Sequence, residues 1–343
     1  FKLMRIAVVL FNLGGPDKPE SVQPFLNNLF LDPAIINVPQ PFRWLLAKFI
    51  STRRAPIAEK IYAEIGGKSP LLDLTIEQAN ALDKACEDLG DVKSFVCMRY
   101  WHPMSKEVVK QVKDFAPDQI VLLPLYPQFS TTTSGSSFHD WKRAAKSAGL
   151  TAKTVEVCCF PEIDGWVEAQ ADLVKKAVGE VTMNVPPRVL FSAHGLPKKV
   201  IEKGDPYQWQ VEQTSQAVVN KLAIDNLDWV VCYQSQVGPL EWIGPSTDDE
   251  IKRAGKDNAP VVVVPIAFVS EHSETLVELD IEYKELAEDE GVPEYIRVPA
   301  VGTHPSFISS LSALVRNACF KETEIFSPTG GRICPKSCGA CPW

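Results

Sequence analysis

A chain of 343 residues is too long for one small hydrophobic core and suits two lobes. Its 45% apolar and 23% charged content is that of an ordinary soluble globular protein, and a net charge of −8 argues against nucleic acid as the main partner, since phosphate binding needs a basic surface. No stretch approaches the roughly 20 apolar residues of a membrane span. The N-terminal apolar run lacks a small-residue cleavage site, so it is expected to be a strand and not a signal peptide, with Met4 as the native start after a short remnant. A reducing cytoplasm follows, in which the nine cysteines are expected to be free thiols or metal ligands rather than disulfides.

Apolar runs alternate with amphipathic stretches along the chain, the pattern of parallel sheets with crossover helices. The run Leu10-Phe-Asn-Leu-Gly-Gly-Pro16 predicts a first strand and turn; its glycines lack the spacing of a dinucleotide loop. Val38 to Ile50 follows, where a helix would set Phe42, Leu45, Leu46 and Phe49 on one stripe, widened by Trp44 and Ile50. That stripe is either a core face or an apolar lip that admits a large flat ligand or touches a membrane. Strands are expected at Val96 to Met98 and Val121 to Leu125. Beyond the latter, the hydroxyl-rich loop Tyr126 to Ser137 is either an anion site or a plain cap for a helix beginning near Phe138. Arg53, Arg54 and Arg99 are candidate carboxylate clamps. Cys158 and Cys159 fall on a likely strand, where adjacent side chains point to opposite faces, so only one could act as a ligand.

The second half repeats the first. Leu190-Phe-Ser-Ala-His-Gly-Leu-Pro197 resembles the run at Leu10, Val231 to Pro239 resembles Val96 to Pro103, and Val262 to Ala267 resembles Val121 to Tyr126. The fold class expected is α/β: two similar Rossmann-like, doubly wound lobes with parallel sheets, over 1–185 and 186–320, with all six strand ends bordering an interlobe cleft. The interval from Phe11 to Cys97 is more than twice that from Phe191 to Cys232, and the excess falls at about 17–70, a lip insertion in the first lobe. His194 ends a strand beside Gly195 and is either a satisfied structural residue or, near carboxylates, a proton acceptor or metal ligand. After the apolar run Val261 to Ile266, Glu271, Glu274, Glu278 and Glu282 recur at spacings of three and four, one face of a helix whose buried face would be Leu276, Leu279, Tyr283 and Leu286. Like charges so placed repel by about 0.2–0.5 kcal/mol per pair, so the row is either a solvated face or a path for cations or protons. His272 lies within it; His102, His139 and His304 have no partner pattern.

The tail, 321–343, holds Cys334, Cys338 and Cys341. Three thiols so close can chelate zinc or an iron–sulfur cluster with a distant fourth ligand; otherwise they are mobile, oxidation-prone thiols. Cys86, Cys97, Cys232 and Cys319 sit in apolar patterns and are expected in the core.

Phe191-Ser-Ala-His-Gly-Leu-Pro197, Val237-Gly-Pro239 with Trp242-Ile-Gly-Pro245, and the long run Pro265 to Tyr283 closely resemble ferrochelatase, as do Leu13-Gly-Gly-Pro16, Ile65 to Pro70, Met98 to Pro103 and Leu125 to Ser130. The resemblance covers about residues 5–320 in one register. It implies a lyase that inserts Fe²⁺ into a porphyrin, protoporphyrin IX or in a close relative coproporphyrin III, in haem biosynthesis. A protein of another class, a haem or iron–sulfur carrier without catalysis, is the alternative. By motif, His194 takes a pyrrole proton or helps receive the metal, Glu274 is its partner carboxylate, and Glu278 and Glu282, with His272, continue a proton or metal relay. Arg54, Tyr62, Ser69, Arg99, Tyr126 and Trp242 fall at positions that contact or border the porphyrin, and Leu13 at the pocket floor. The resemblance also implies a [2Fe–2S] cluster on Cys334, Cys338, Cys341 and an internal cysteine. Animal members place that cysteine where this chain has Thr131, so Cys158 is the expected ligand, as in bacterial members, with Cys159 the runner-up. The cytoplasm, with peripheral contact to the inner membrane through the lip, is the implied location.

Overall fold

The computed structural model describes residues 4–343; the remnant expected before Met4 lies outside the described residues. In chain order the strands are β1 (Arg5–Asn12), β2 (Asp91–Met98), β3 (Gln119–Pro124), β4 (Lys153–Val157), β5 (Arg188–His194), β6 (Asp228–Gln234), β7 (Val261–Pro265), β8 (Tyr295–Arg297) and β9 (Ile325–Phe326). The α-helices are α1 (Val22–Leu31), α2 (Phe42–Ala63), α3 (Leu71–Ala85), α4 (Ser105–Phe115), α5 (Ser134–Ala148), α6 (Asp164–Glu180), α7 (Lys198–Glu202), α8 (Tyr207–Leu222), α9 (Thr247–Lys256), α10 (Tyr283–Asp289) and α11 (Pro305–Cys319). Directly before α10, Glu274–Glu282 is a π-helix.

The strands form two sheets, ordered β2-β1-β3-β4-β9 and β6-β5-β7-β8, with every pairing parallel. The internal duplication is visible in that order, since the second sheet repeats the arrangement of the first four strands. Near-continuous apolar runs such as Ile6 to Phe11 and Val261 to Val264 are buried throughout, as required of parallel strands covered on both faces. Cys86, Cys97, Cys232 and Cys319 are buried as expected.

By contacts the chain divides into two compact units, residues up to Cys159 with Leu311–Arg332 and Pro342–Trp343, and Phe160–Ser310 with Ile333–Cys341. The division falls at Cys159 rather than near 185, because α6 packs against α8 of the second unit. The stretch expected to be only a cysteine tail begins by adding β9 to the edge of the first sheet beside β4.

Three local expectations change. The helix near residue 40 is longer than expected, and it buries a stripe of Ala47, Ser51, Ala55 and Tyr62. The small residues let α2 lie close on α1, while Phe42 (67%), Trp44 (52%), Leu45 (55%) and Phe49 (57%) remain exposed. The apolar stripe is therefore not a core face. Helix α5 begins at Ser134 rather than Phe138. Finally, β4 ends at Val157, so strand alternation does not govern the two cysteines after it: both are buried and their sulfurs lie 3.3 Å apart.

The second unit's core gathers Leu190, Cys232, Ile251, Ala254, Val263, Leu279, Tyr283 and Ala287. Gly255 in α9 sits where a Cβ would come within 2.1 Å of the Glu290 carbonyl oxygen. In an open helix Gly→Ala would stabilise by about 1 kcal/mol. Here overpacking dominates, and Gly255→Ala is expected to destabilise by about 1–3 kcal/mol, read as a lower Tm in calorimetry.

Candidate active site

In the second unit the ends of β5 and β6 and the π-helix converge. His194 is the last residue of β5, paired in register with Gln234. Gly195 follows, and a Cβ there would lie 2.9 Å from the Gln234 carbonyl oxygen, so only glycine allows the chain to turn this close. The ring is oriented by its neighbour: His194 Nδ1 lies 2.6 Å from the Gly195 carbonyl. A carbonyl only accepts, so Nδ1 carries the proton and Nε2 of the neutral ring presents a lone pair. Tyr207 donates to the His194 carbonyl at 3.0 Å and fixes the turn from behind.

Nε2 of His194 faces Glu274 Oε1 at 3.8 Å. The other oxygen of Glu274 is 3.3 Å from Nε2 of His272. His272 accepts a hydrogen bond at Nδ1 from the Glu274 backbone N–H, 3.1 Å, so its proton lies on Nε2, directed at the carboxylate. Phe268 packs edge-on against the His272 ring, with centroids 4.6 Å apart. One carboxylate thus sits between two imidazoles, of which His272 is nearly buried and His194 is 39% exposed.

The remaining glutamates differ from one another. Glu278 accepts from Ser235 N–H (2.7 Å), Ser235 Oγ (2.6 Å) and Gln234 Nε2 (2.9 Å), with Tyr283 OH at 3.3 Å. Ser235 adopts φ +63° to do this, an uncommon conformation for a residue with a Cβ. Glu282 is held above the usual carboxylate range by burial first, then by the charges of Glu278, Asp248 and Glu285. Glu271 does not extend the row: Arg297 holds both its oxygens. Burial alone would raise the Glu271 carboxyl, but the Arg297 charge and bonds from Thr275 and Ala300 outweigh it and hold it low. The face is also not α-helical. In a π-helix about four to five residues make a turn, against 3.6 in an α-helix, so positions four apart still align. Trp242 packs its ring edge against Gly195, and its indole nitrogen is buried without a partner.

In the first unit Leu13, Tyr62 and Ser69 come together. A Cβ on Gly15 would lie 2.5 Å from Ser69 Cβ and 3.8 Å from Tyr62 OH, and Leu13 packs on the cluster of Val22, Phe25, Tyr62 and Tyr100. Arg54 is exposed, with its guanidinium 6.0 Å over the Phe30 ring. Tyr126 lies just past the end of β3. Arg99 is not an outward clamp: its Nε donates to Ser136 at 2.7 Å, its Nη2 to Asp32 at 3.0 Å, and Asp140 lies 3.9 Å from Nη1. Asp32, which also accepts from Tyr100 at 2.6 Å, was not singled out by the sequence; nor were Gln234, Ser235, Tyr207 and Arg297. Gln234 had a usable signal, as a polar strand-end residue in the repeat of the His194 strand.

The tail folds against the turn between α7 and α8, where Ala340 N–H donates to the Gly204 carbonyl at 3.1 Å. Cys334 Sγ accepts from Gln210 Nε2 at 3.1 Å. Burial pushes the Cys334 thiol up to about 12 against the pull of the Gln210 bond, with the Cys341 and Cys338 thiols adding to the rise. Three thiols are therefore neighbours, yet among the described residues no group of three or more His, Cys, Asp or Glu is arranged to hold a metal. No helix among them is long and apolar enough to cross a membrane.

The family model described as ferrochelatase matches residues 5–319. A ferrochelatase of Pelagibacter ubique (strain HTCC1062) is 50% identical over 343 residues, covering 99% of this chain and 98% of its own. One of Caulobacter vibrioides (strain NA1000 / CB15N) is 52% identical over 341 residues, covering 98% and 97%. One of Wolbachia sp. subsp. Drosophila simulans (strain wRi) is 54% identical over 316 residues, covering 92% and 99%. Among solved structures, SirB from Bacillus subtilis with Fe3+ is similar with a TM-score of 0.55 at 12% identity, covering 93% of this chain and 96% of that one, a likeness of fold. Half of all positions shared along almost the whole length, on a scaffold that carries the two imidazoles and the carboxylate between them, places this chain in the ferrochelatase family.

Proposed function

We propose that this chain inserts Fe²⁺ into protoporphyrin IX to form haem. The observation that carries the reading is the Glu274 carboxylate held between Nε2 of His194 and Nε2 of His272. Insertion requires both pyrrole N–H protons to leave as a dication enters a planar ligand. Nε2 of His194, unprotonated and partly exposed, accepts a pyrrole proton. The imidazolium so formed lies next to the Glu274 carboxylate, which the Nε2–H of His272 orients and which stabilises the new charge and takes the proton on, so that His194 is free to accept the second pyrrole proton. The tautomer of His272 makes it a donor to Glu274 and not a relay member. Glu278, fixed by its donors, supplies a standing negative charge for incoming Fe²⁺, and Glu282, which retains a proton more readily than an ordinary carboxylate, extends the path outward. The porphyrin contacts carried over by motif to Leu13, Arg54, Tyr62, Ser69, Tyr126 and Trp242 belong to the same proposal, with Arg99 acting through Asp32 and Ser136. The exposed apolar residues of α2 favour protoporphyrin over the more polar coproporphyrin III and support peripheral contact with a membrane surface from the cytoplasm.

Loss of free-porphyrin fluorescence with Fe²⁺ or Zn²⁺, run with both porphyrins, tests the reading. Higher kcat/KM with protoporphyrin is expected, the reverse order would reassign the substrate, and no turnover with either would leave a carrier. His194→Ala is expected to lower kcat by about 10²–10⁴-fold, the usual contribution of a positioned base, with Tm near that of the wild type. Near-normal turnover would remove His194 from its role.

A second reading concerns the tail. The neighbouring thiols of Cys334, Cys338 and Cys341, of which the first two are buried, with the N–H···S bond from Gln210 to Cys334, supply three candidate ligands for a [2Fe–2S] cluster, whose chemistry when bound would be electron transfer or structural bracing. Cys158 is the proposed fourth ligand and Cys159, whose sulfur adjoins it, the alternative. The family match ends at residue 319 and does not reach the three tail thiols. Purified protein is expected to carry about two irons and two sulfides per chain, and Cys338→Ser to lower both together; a zinc-bound, colourless protein would overturn the assignment.

A further inference from the structure

A π-helix is wider than an α-helix and rarely exceeds one turn. Here it runs for nine residues, Glu274–Glu282, and ends with the bond that defines it, from Tyr283 N–H to the Glu278 carbonyl. Such a segment needs support from outside. Much of that support comes from β8, the edge strand of the second sheet.

Arg297 of β8 forks Asp280 through Nε and Nη2, both at 2.6 Å. Its Nη1 reaches the two oxygens of Glu271 at 2.7 and 2.9 Å. Asp280 lies inside the π-helix and Glu271 precedes it, so one largely buried guanidinium ties the entry of the helix and its second turn to the same strand. The tie continues inward. Glu271 accepts from Ala300 N–H at 2.9 Å and from the Thr275 hydroxyl, and Thr275 Oγ1 accepts from His272 N–H at 3.1 Å. From the same strand, Tyr295 donates to the Leu279 carbonyl at 2.7 Å.

The geometry points to Arg297 as a positioning residue that holds the π register and thereby keeps Glu274 between the imidazoles of His194 and His272; this inference rests on the metal-insertion reading. Its reason is rotational. If the segment relaxed to 3.6 residues per turn, Glu274 would swing about a third of a turn relative to Asp280. Glu274 could not then face both imidazoles while Asp280 stayed on Arg297. The fork fixes Asp280, and the bond to Glu271 fixes the approach to Glu274.

Removing Arg297 alone would strand two partly buried carboxylates, so a loss of fold would be uninformative. The test therefore uses the neutral triple variant E271Q/D280N/R297M beside R297K. Insertion of Zn²⁺ into protoporphyrin IX, Tm and hydrogen exchange of the amides over 274–283 are measured on each. The triple variant is expected to melt within a few degrees of the wild type and to exchange faster over 274–283. Its kcat is expected to fall about ten- to hundredfold, the scale of a small misplacement of a catalytic group, with the porphyrin KM changed by less than about twofold. R297K keeps the charge without the fork and is expected to recover part of the kcat. Unchanged exchange protection, or a triple-variant kcat within about twofold of the wild type, overturns the inference. If the triple variant does not fold, R297K decides alone: wild-type kcat overturns the inference, and lowered kcat with faster exchange upholds it. A wild type that inserts no metal defeats the functional reading instead, while hydrogen exchange still reports whether Arg297 holds the helix.

Discussion

The side-chain amide of Gln234 is the joint on which the second unit's site depends. It is fully buried. Its oxygen accepts from Ser192 of β5 at 2.9 Å, and its nitrogen donates to the Glu274 carbonyl at 3.0 Å and to the Glu278 carboxylate at 2.9 Å. The Glu274 carbonyl and the Glu278 carboxylate only accept, so they fix the nitrogen towards the helix and leave the amide oxygen for Ser192. A buried amide with all these bonds made is rigid, and leaving any partner unpaired would cost about 1–3 kcal/mol. The sheet thus dictates where the π-helix begins, and Arg297 dictates how far it turns.

The acidic residues that look equivalent along the chain become three electrostatic species. Glu271 is neutralised by a guanidinium and serves as structure. Glu278 is a fixed acceptor of hydrogen bonds. Glu282, buried near other carboxylates, retains its proton more readily than a free side chain. A uniform row would bind a dication and keep it. On the proposed reading, a graded one, with a hydrogen-bonded carboxylate beside Glu274 and a more readily protonated group farther along, passes a cation inward and protons outward.

Much of this was legible in the chain. The strand runs, their duplication and the strand-end placement of His194 follow from apolar period and composition, because buried parallel strands admit few polar residues. The partnership of His194 and Glu274 came from motif resemblance, and the structure brings the pair to 3.8 Å. What could not be read depends on tertiary partners. The spacing of Glu274, Glu278 and Glu282 fits an α-helix and a π-helix alike, and only Arg297, Tyr295 and Gln234 select between them. Arg99 has the composition of a clamp, but Asp32 and Asp140 arrive from remote segments to engage it. Cys158 and Cys159 would alternate on a strand, but β4 ends before both, at Val157, and their sulfurs lie side by side.

The duplication also gives two strand ends that are built differently. Asn12 ends β1 as His194 ends β5. Asn12 is 5% exposed: its amide nitrogen donates to Thr75 at 3.2 Å and its oxygen accepts from Leu13 N–H at 2.9 Å. Those bonds turn the first strand end inward, and Leu13 after it packs on the cluster of Val22, Phe25, Tyr62 and Tyr100. In the second copy the residue that ends the strand is an imidazole whose Nδ1 is satisfied by the next residue and whose Nε2 is not. A side chain with every polar atom bonded locks a fold, whereas one with a single unbonded lone pair can accept a proton. The same scaffold, built twice, therefore ends one strand in a locked amide and the other in a ring with a proton-accepting nitrogen.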